Sequence, residues 1–136
     1  MNKVSVPTLI IFVSILTFCS LKNDGESAGK KLAIIGTWHW QESKGGITGN
    51  EIITPQSTGV AKKLVFGTNQ KVTVFTNDTE TGQYNYTLKK GNSVFDNKQH
   101  YLLTFNEMSY VIRHIDNKRL SIQDNFTDGY VLNYTK

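Results

Sequence analysis

From Ile34 to the C-terminus, apolar and polar side chains alternate with period two, the spacing of half-buried β-strands. The first such segment, about 34–43, sets Gly36, Trp38 and Trp40 against Thr37, His39 and Gln41. A long polar connection, 43–59, follows, with Gly45-Gly46, Gly49-Asn50 and Pro55 as breakers and Ile52-Ile53 as a short strand inside it. Strands are then predicted at 60–66, 71–76, 82–89, weakly at 93–95, and at 100–105, 109–115, 119–123 and 130–134. The 82–89 segment alternates most cleanly, with Tyr84, Tyr86 and Leu88 against Asn85, Thr87 and Lys89. Turn residues separate these segments at Thr68-Asn69, Asn77-Asp78, Gly91-Asn92, Asp96-Asn97, Asn106-Glu107 and Asp116-Asn117.

No segment from Ile34 onward carries the apolar stripe of a three-turn helix. The expected fold is therefore all-β, a small up-and-down antiparallel β-barrel of about eight strands, since closing a meander removes its two exposed edges. The domain is expected to span 32–136.

The pattern upstream is different. Residues 1–18 have Lys3 as their sole charged side chain and an apolar core from Val6 to Phe18, the form of a signal peptide and too short for a membrane span. The one cysteine, Cys19, ends the apolar run in Leu16-Thr17-Phe18-Cys19. With no partner for a disulfide, its position makes it the candidate lipidation site. The run resembles a bacterial lipobox, with Leu16 in place and Phe18 standing where such sites carry Gly, Ala or Ser. That resemblance implies cleavage before Cys19, palmitate-type acylation and a lipid-anchored protein of the bacterial cell envelope, at the outer membrane. Residues 19–31 are polar and small and read as a lipidated, flexible tether. Within it, Lys22-Asn23-Asp24-Gly25-Glu26 resembles the acidic signals that send Bacteroidetes lipoproteins to the cell surface; an ordinary solvated spacer reads the same way.

Composition adds exclusions more than assignments. A net charge of +4 is spread over pairs such as Lys30-Lys31, Lys62-Lys63 and Lys89-Lys90, with no dense basic face, so nucleic acid is not an expected partner. The 3 histidines, His39, His100 and His114, are dispersed without ligand spacing, so neither metal nor cofactor is expected. Acidic residues sit in the turns and the tether, where they are ordinary turn formers. There is no Gly-x-Ser-x-Gly elbow and no phosphate loop, so no catalytic residue is assigned and an enzyme is not expected. A monomer is expected.

Gly36-Thr37-Trp38 at the head of the first strand, the glycine-containing loop with Gly45-Gly46-Ile47, and the meander after it resemble the lipocalin signature. More narrowly the chain resembles the short lipocalin-like lipoproteins of Bacteroidetes. Lys63-Leu64-Val65-Phe66, Lys71-Val72-Thr73-Val74, Tyr101-Leu102-Leu103-Thr104-Phe105, Leu120-Ser121-Ile122 and Asp128-Gly129-Tyr130 carry the likeness across 34–136. It implies that Gly36 and Trp38 form the barrel floor, with Trp38 under a basic residue near the last strand: Arg113, Arg119 or Lys136. Avidin-type barrels share the opening triplet, but the later-strand tryptophans that serve their ligand are missing here.

The expected inward set is heavily aromatic: Trp38, Trp40, Phe66, Tyr84, Tyr86, Tyr101, Phe105, Tyr110, Tyr130 and Tyr134. Two outcomes remain open, because a barrel of this size is either filled by its own side chains or holds one small ligand. In the first, the protein is an interaction or inhibitor module. In the second, it binds a small apolar or amphipathic molecule at a mouth lined by Trp40, Tyr84, Tyr86, Tyr101 and Tyr110, with 44–59 as rim.

Overall fold

Alternation becomes sheet along nearly the whole chain. The computed structural model describes residues 24–136, so the expected signal peptide at 1–18, with Lys3 and Phe18, and the expected lipidation site Cys19 lie outside the described residues. The order is α1 (Asp24–Ile34), β1 (Gly36–Gly45), β2 (Glu51–Ile53), α2 (Pro55–Thr58), β3 (Lys62–Phe66), β4 (Lys71–Thr76), β5 (Thr79–Asn85), β6 (Thr87–Asn92), β7 (Gln99–Phe105), β8 (Met108–Ile115), β9 (Arg119–Asp124) and β10 (Tyr130–Thr135). The strands form one antiparallel sheet in the order β5-β4-β3-β1-β10-β9-β8-β7-β6, with β2 added to β1. This is an up-and-down meander curled into an all-β, barrel-like fold. Its first and last long strands pair from His39↔Thr135 to Gly45↔Tyr130.

The two ends of that path, β5 and β6, are separated by Tyr86 alone. One continuous alternation, 82–89, thus serves two ladders: β5 pairs with β4 and β6 with β7. Among the described residues no ladder crosses from one side of this seam to the other. The tight turns Asn77-Asp78 and Asn106-Glu107 each hold two successive residues at positive φ (47° and 60°, 49° and 62°), the geometry that matches the twist of a hairpin.

The interior is a single cluster of side chains from every long strand, including Trp38, Trp40, Phe66, Tyr86, Leu103, Phe105, Ile122 and Tyr134. Phe66 meets Tyr86 and Phe105 edge to face, at centroid distances of 5.0 and 6.1 Å. Such contacts add about 0.5–1.5 kcal/mol each beyond burial. Trp38 is fully buried, and its indole Nε1 donates to the Ile34 carbonyl at 2.7 Å. Of the three basic candidates, Lys136 is the one over Trp38: its Nζ lies 4.6 Å from the ring and donates to the Ala33 carbonyl at 3.0 Å. Gly36, at φ +126°, makes room for it, since a Cβ there would sit 3.0 Å from Lys136 Cε.

Several expectations are corrected. Residues 24–31, read as tether, belong to a helix. Ile34 anchors α1 by inserting fully into the core, and Lys30 pairs with Glu26 at 2.8 Å and sits 4.8 Å over the Tyr101 ring. Tertiary docking of this kind stabilises a short helix that its own polar composition would not. The first strand accordingly begins at Gly36 rather than Ile34. The predicted strand at 93–95 is a loop, closed by the Ser93 amide on the Lys98 carbonyl and the Asn97 amide on the Ser93 carbonyl. Tyr130 is not in the interior: it is half-buried, and its hydroxyl donates to Glu51 of β2. Within the long connection, Thr54 and Ser57 form a reciprocal capping box on α2.

Candidate functional site

The five aromatic residues expected to line a mouth are placed differently from one another. Trp40 is 3% exposed, its Nε1 donating to Ser43 Oγ at 3.0 Å and its ring covered by Lys62 Nζ at 4.9 Å. Tyr101 is buried between Lys30 and Lys90, and its hydroxyl has no hydrogen-bond partner among the described residues. Tyr84 and Tyr110 are half-buried and pack on the core edge. Burial, with Asp124 nearby, pushes the Tyr110 phenol up to about 12, so it stays a neutral donor at ordinary pH. Tyr110 stacks on Phe105 at 5.2 Å.

Tyr86 stands apart from the other four. Its backbone amide donates to the Gln70 carbonyl at 2.9 Å and its hydroxyl to the Gly67 carbonyl at 3.2 Å, holding the β3–β4 turn against the break between β5 and β6. Burial raises its phenol too. Beside it, under α1, opens a cavity of about 360 Å³, within the size range of small-molecule sites. Its apolar wall is Leu32 from the last turn of α1, Ile35 just beyond it, Leu88 from β6 and the Tyr86 ring. Thr68 and Gln70 of the β3–β4 turn and Thr87 supply polar groups. Lys31 and Lys89 flank it, and neither forms an ion pair among the described residues. Leu32 is 72% exposed, a large apolar side chain left uncovered at the opening.

The origin of the site is local. The seam leaves an opening in the sheet where Tyr86 passes from one ladder to the other, and α1 only partly covers it. Of the sequence-predicted residues only Tyr86 is brought here. Lys31, Leu32, Ile35, Thr68, Gln70 and Lys89 were missed, because three separate stretches meet only once the sheet curls. The run Lys30 to Ile35, two lysines followed by four apolar residues, was the available signal for an amphipathic segment.

A second cavity, of about 430 Å³, lies across β1, β10, β9 and β8, lined by polar side chains that include Gln41, Asn133, Ser121 and Arg119. Among the described residues no three His, Cys, Asp or Glu side chains converge as metal ligands. His100 and His114 are each taken up by a neighbouring carboxylate, Asp96 at 2.9 Å and Asp116 at 2.8 Å. The His114 contact, followed by the backbone amides of Lys118 and Arg119, holds the Asp116 carboxyl well below its usual range. Among the described residues no helix is long and apolar enough to cross a membrane. Compared with family models, with curated proteins and with solved structures, the chain matches none.

Proposed function

We propose that this is a non-enzymatic envelope lipoprotein whose barrel-like domain binds a small anionic amphiphile, received at the seam cavity under α1. The observation that carries this reading is the pairing of an apolar wall, Leu32, Ile35, Leu88 and Tyr86, with two lysines, Lys31 and Lys89, that form no ion pair among the described residues, at one opening. An acyl chain would bury its surface against that wall at about 25 cal/mol per Å². A carboxylate or phosphate head would be held by the ammonium groups, with Thr68, Gln70 and Thr87 orienting it. The interior, packed with rings, favours a site at the break in the sheet over one deep in the barrel.

The test is photolabelling of membranes that carry the full chain, using a diazirine-bearing dodecanoate. The adduct is expected within 31–35 and 86–89. Dodecanoate should compete for it better than dodecanol, and the double variant Lys31→Gln, Lys89→Gln should label several-fold less. Labelling scattered along the chain, or no labelling, would sink the proposal. It would favour instead a partner-binding module, a reading that the exposed Ile47 and Ile52 of the β1–β3 connection support.

A further inference from the structure

The cavity across β1, β10, β9 and β8 is a different kind of site, on the opposite face of the sheet from the core. Both flanking strands are bulged. The register of β1 against β10 shifts between Trp40 and Glu42, and that of β8 against β9 between Ile112 and His114. Bulges re-aim side chains and recur beside functional sites. Here they turn Gln41 and His114 toward the two strands lying between them. On those strands the pairs Thr135↔Arg119 and Asn133↔Ser121 complete a polar row across the sheet. Leu120 and Tyr134, whose side chains are buried in the core, form its floor.

The donors and acceptors in this row are set before any ligand arrives. Gln41 Nε2 donates to the His39 carbonyl at 3.1 Å and to Thr135 Oγ1 at 3.0 Å, so the Gln41 carbonyl oxygen remains an oriented acceptor. Asn133 Nδ2 donates to Glu42 Oε1 at 3.1 Å, which frees its carbonyl in the same way. The Ser121 hydroxyl has no partner among the described residues. Asp116 already accepts from the Lys118 and Arg119 amides at 2.8 and 2.7 Å and contacts His114 Nε2 at 2.8 Å. Its approach to Arg119 is only an Nε contact of 3.7 Å, and the Arg119 side chain is 72% exposed. Among the described residues the two terminal nitrogens of the guanidinium are left as an open fork.

Amide carbonyls and hydroxyls repeated at the inter-strand spacing of about 4.8 Å suit a molecule with several hydroxyls; an apolar one would leave them unpaired at a cost. A guanidinium whose two terminal nitrogens have no contact among the described residues matches a carboxylate bidentately, even with Asp116 beside its Nε. We propose that this groove binds an acidic saccharide, its carboxylate on Arg119 and its hydroxyls on Ser121, Asn133 and Gln41. The site is separate from the seam cavity and does not depend on it.

The test is titration of the full chain, in a sugar-free zwitterionic detergent, with tetragalacturonate and with neutral maltotetraose, followed by backbone amide spectra. The acidic tetrasaccharide should shift the amides of 41, 114, 119, 121, 133 and 135 and bind at least tenfold more tightly than the neutral one. Arg119→Gln should remove that advantage, Ser121→Val should weaken binding several-fold, and the spectra themselves report whether each variant is folded. Lys71→Gln, on exposed β4 surface away from the groove, should change nothing. The proposal is overturned by absent shifts, by shifts elsewhere, by equal binding of the neutral sugar, by an unaffected Arg119→Gln chain, or by a Lys71→Gln loss as large as the Arg119→Gln loss.

Discussion

Trp38 fastens three parts of the chain at once, and its removal gives a graded prediction. The indole is fully buried, donates at 2.7 Å to the last residue of α1 and lies under Lys136 from the C-terminus. Trp38→Ala removes the whole ring and leaves a cavity, for which about 3–5 kcal/mol is expected. Trp38→Phe keeps most of the ring but leaves the Ile34 carbonyl without its donor, at a cost of about 1–3 kcal/mol. Lys136 is exposed, so its contact with the ring contributes less, about 0.5–1 kcal/mol. That contribution should appear as the coupling between Trp38→Leu and Lys136→Met in a double-mutant cycle. Urea unfolding of the full chain measures all of these. In every Trp38 variant the buried Trp40 is the single remaining tryptophan and reports the transition by fluorescence. A Trp38→Ala cost below about 1 kcal/mol would refute the packing argument. A cycle with no coupling would refute the role given to Lys136.

Two further predictions concern other parts of the chain. Burial raises the Asp124 carboxyl, and the Tyr130 amide on its Oδ2 offsets only part of that. The folded state therefore holds this proton more tightly than the unfolded state. Stability from this group is present below the unfolded value and is lost as pH rises through the folded one. Asp124→Asn should raise the urea midpoint at pH 7 and flatten the pH dependence over that window; a variant curve parallel to wild type would contradict the sign. At the N-terminus, Cys19→Ala should abolish fatty-acid labelling and release the protein from membranes, and labelling that survives the substitution would count against acylation there.

Strand faces were legible in the sequence because alternation reports which side a residue takes. It does not report which strand it pairs with. The run 82–89 alternates without interruption, yet its ladder partner changes from β4 to β7 at Tyr86, and the seam that creates the candidate site is invisible in it. Trp38, Phe66 and Leu103 lie in the core as their spacing implied. Tyr130 keeps the same alternation but sits at the end of β10, where the hydroxyl finds Glu51 instead of the interior. Helix α1 was hidden for a different reason: its stretch from Asp24 to Lys31 is polar or small, and its order depends on Ile34 entering a core assembled from distant strands. The polar groove was hidden by its bulges, which add residues to a ladder without breaking the sequence pattern around Gln41 and His114.

Helix α1 also changes the mechanical relation between the domain and its proposed anchor. A dozen free residues would let the barrel wander and present any side to its surroundings. With the helix docked from Asp24, the chain from Cys19 can extend at most roughly 18 Å before it reaches folded structure. An acylated Cys19 would then hold the Asp24 end of α1 near the lipid headgroups, with Lys31 and Leu32, at the far end of the helix, about 12 Å further along it. The anchor would thereby cap the distance between the seam cavity and the leaflet, and would serve as part of the loading geometry.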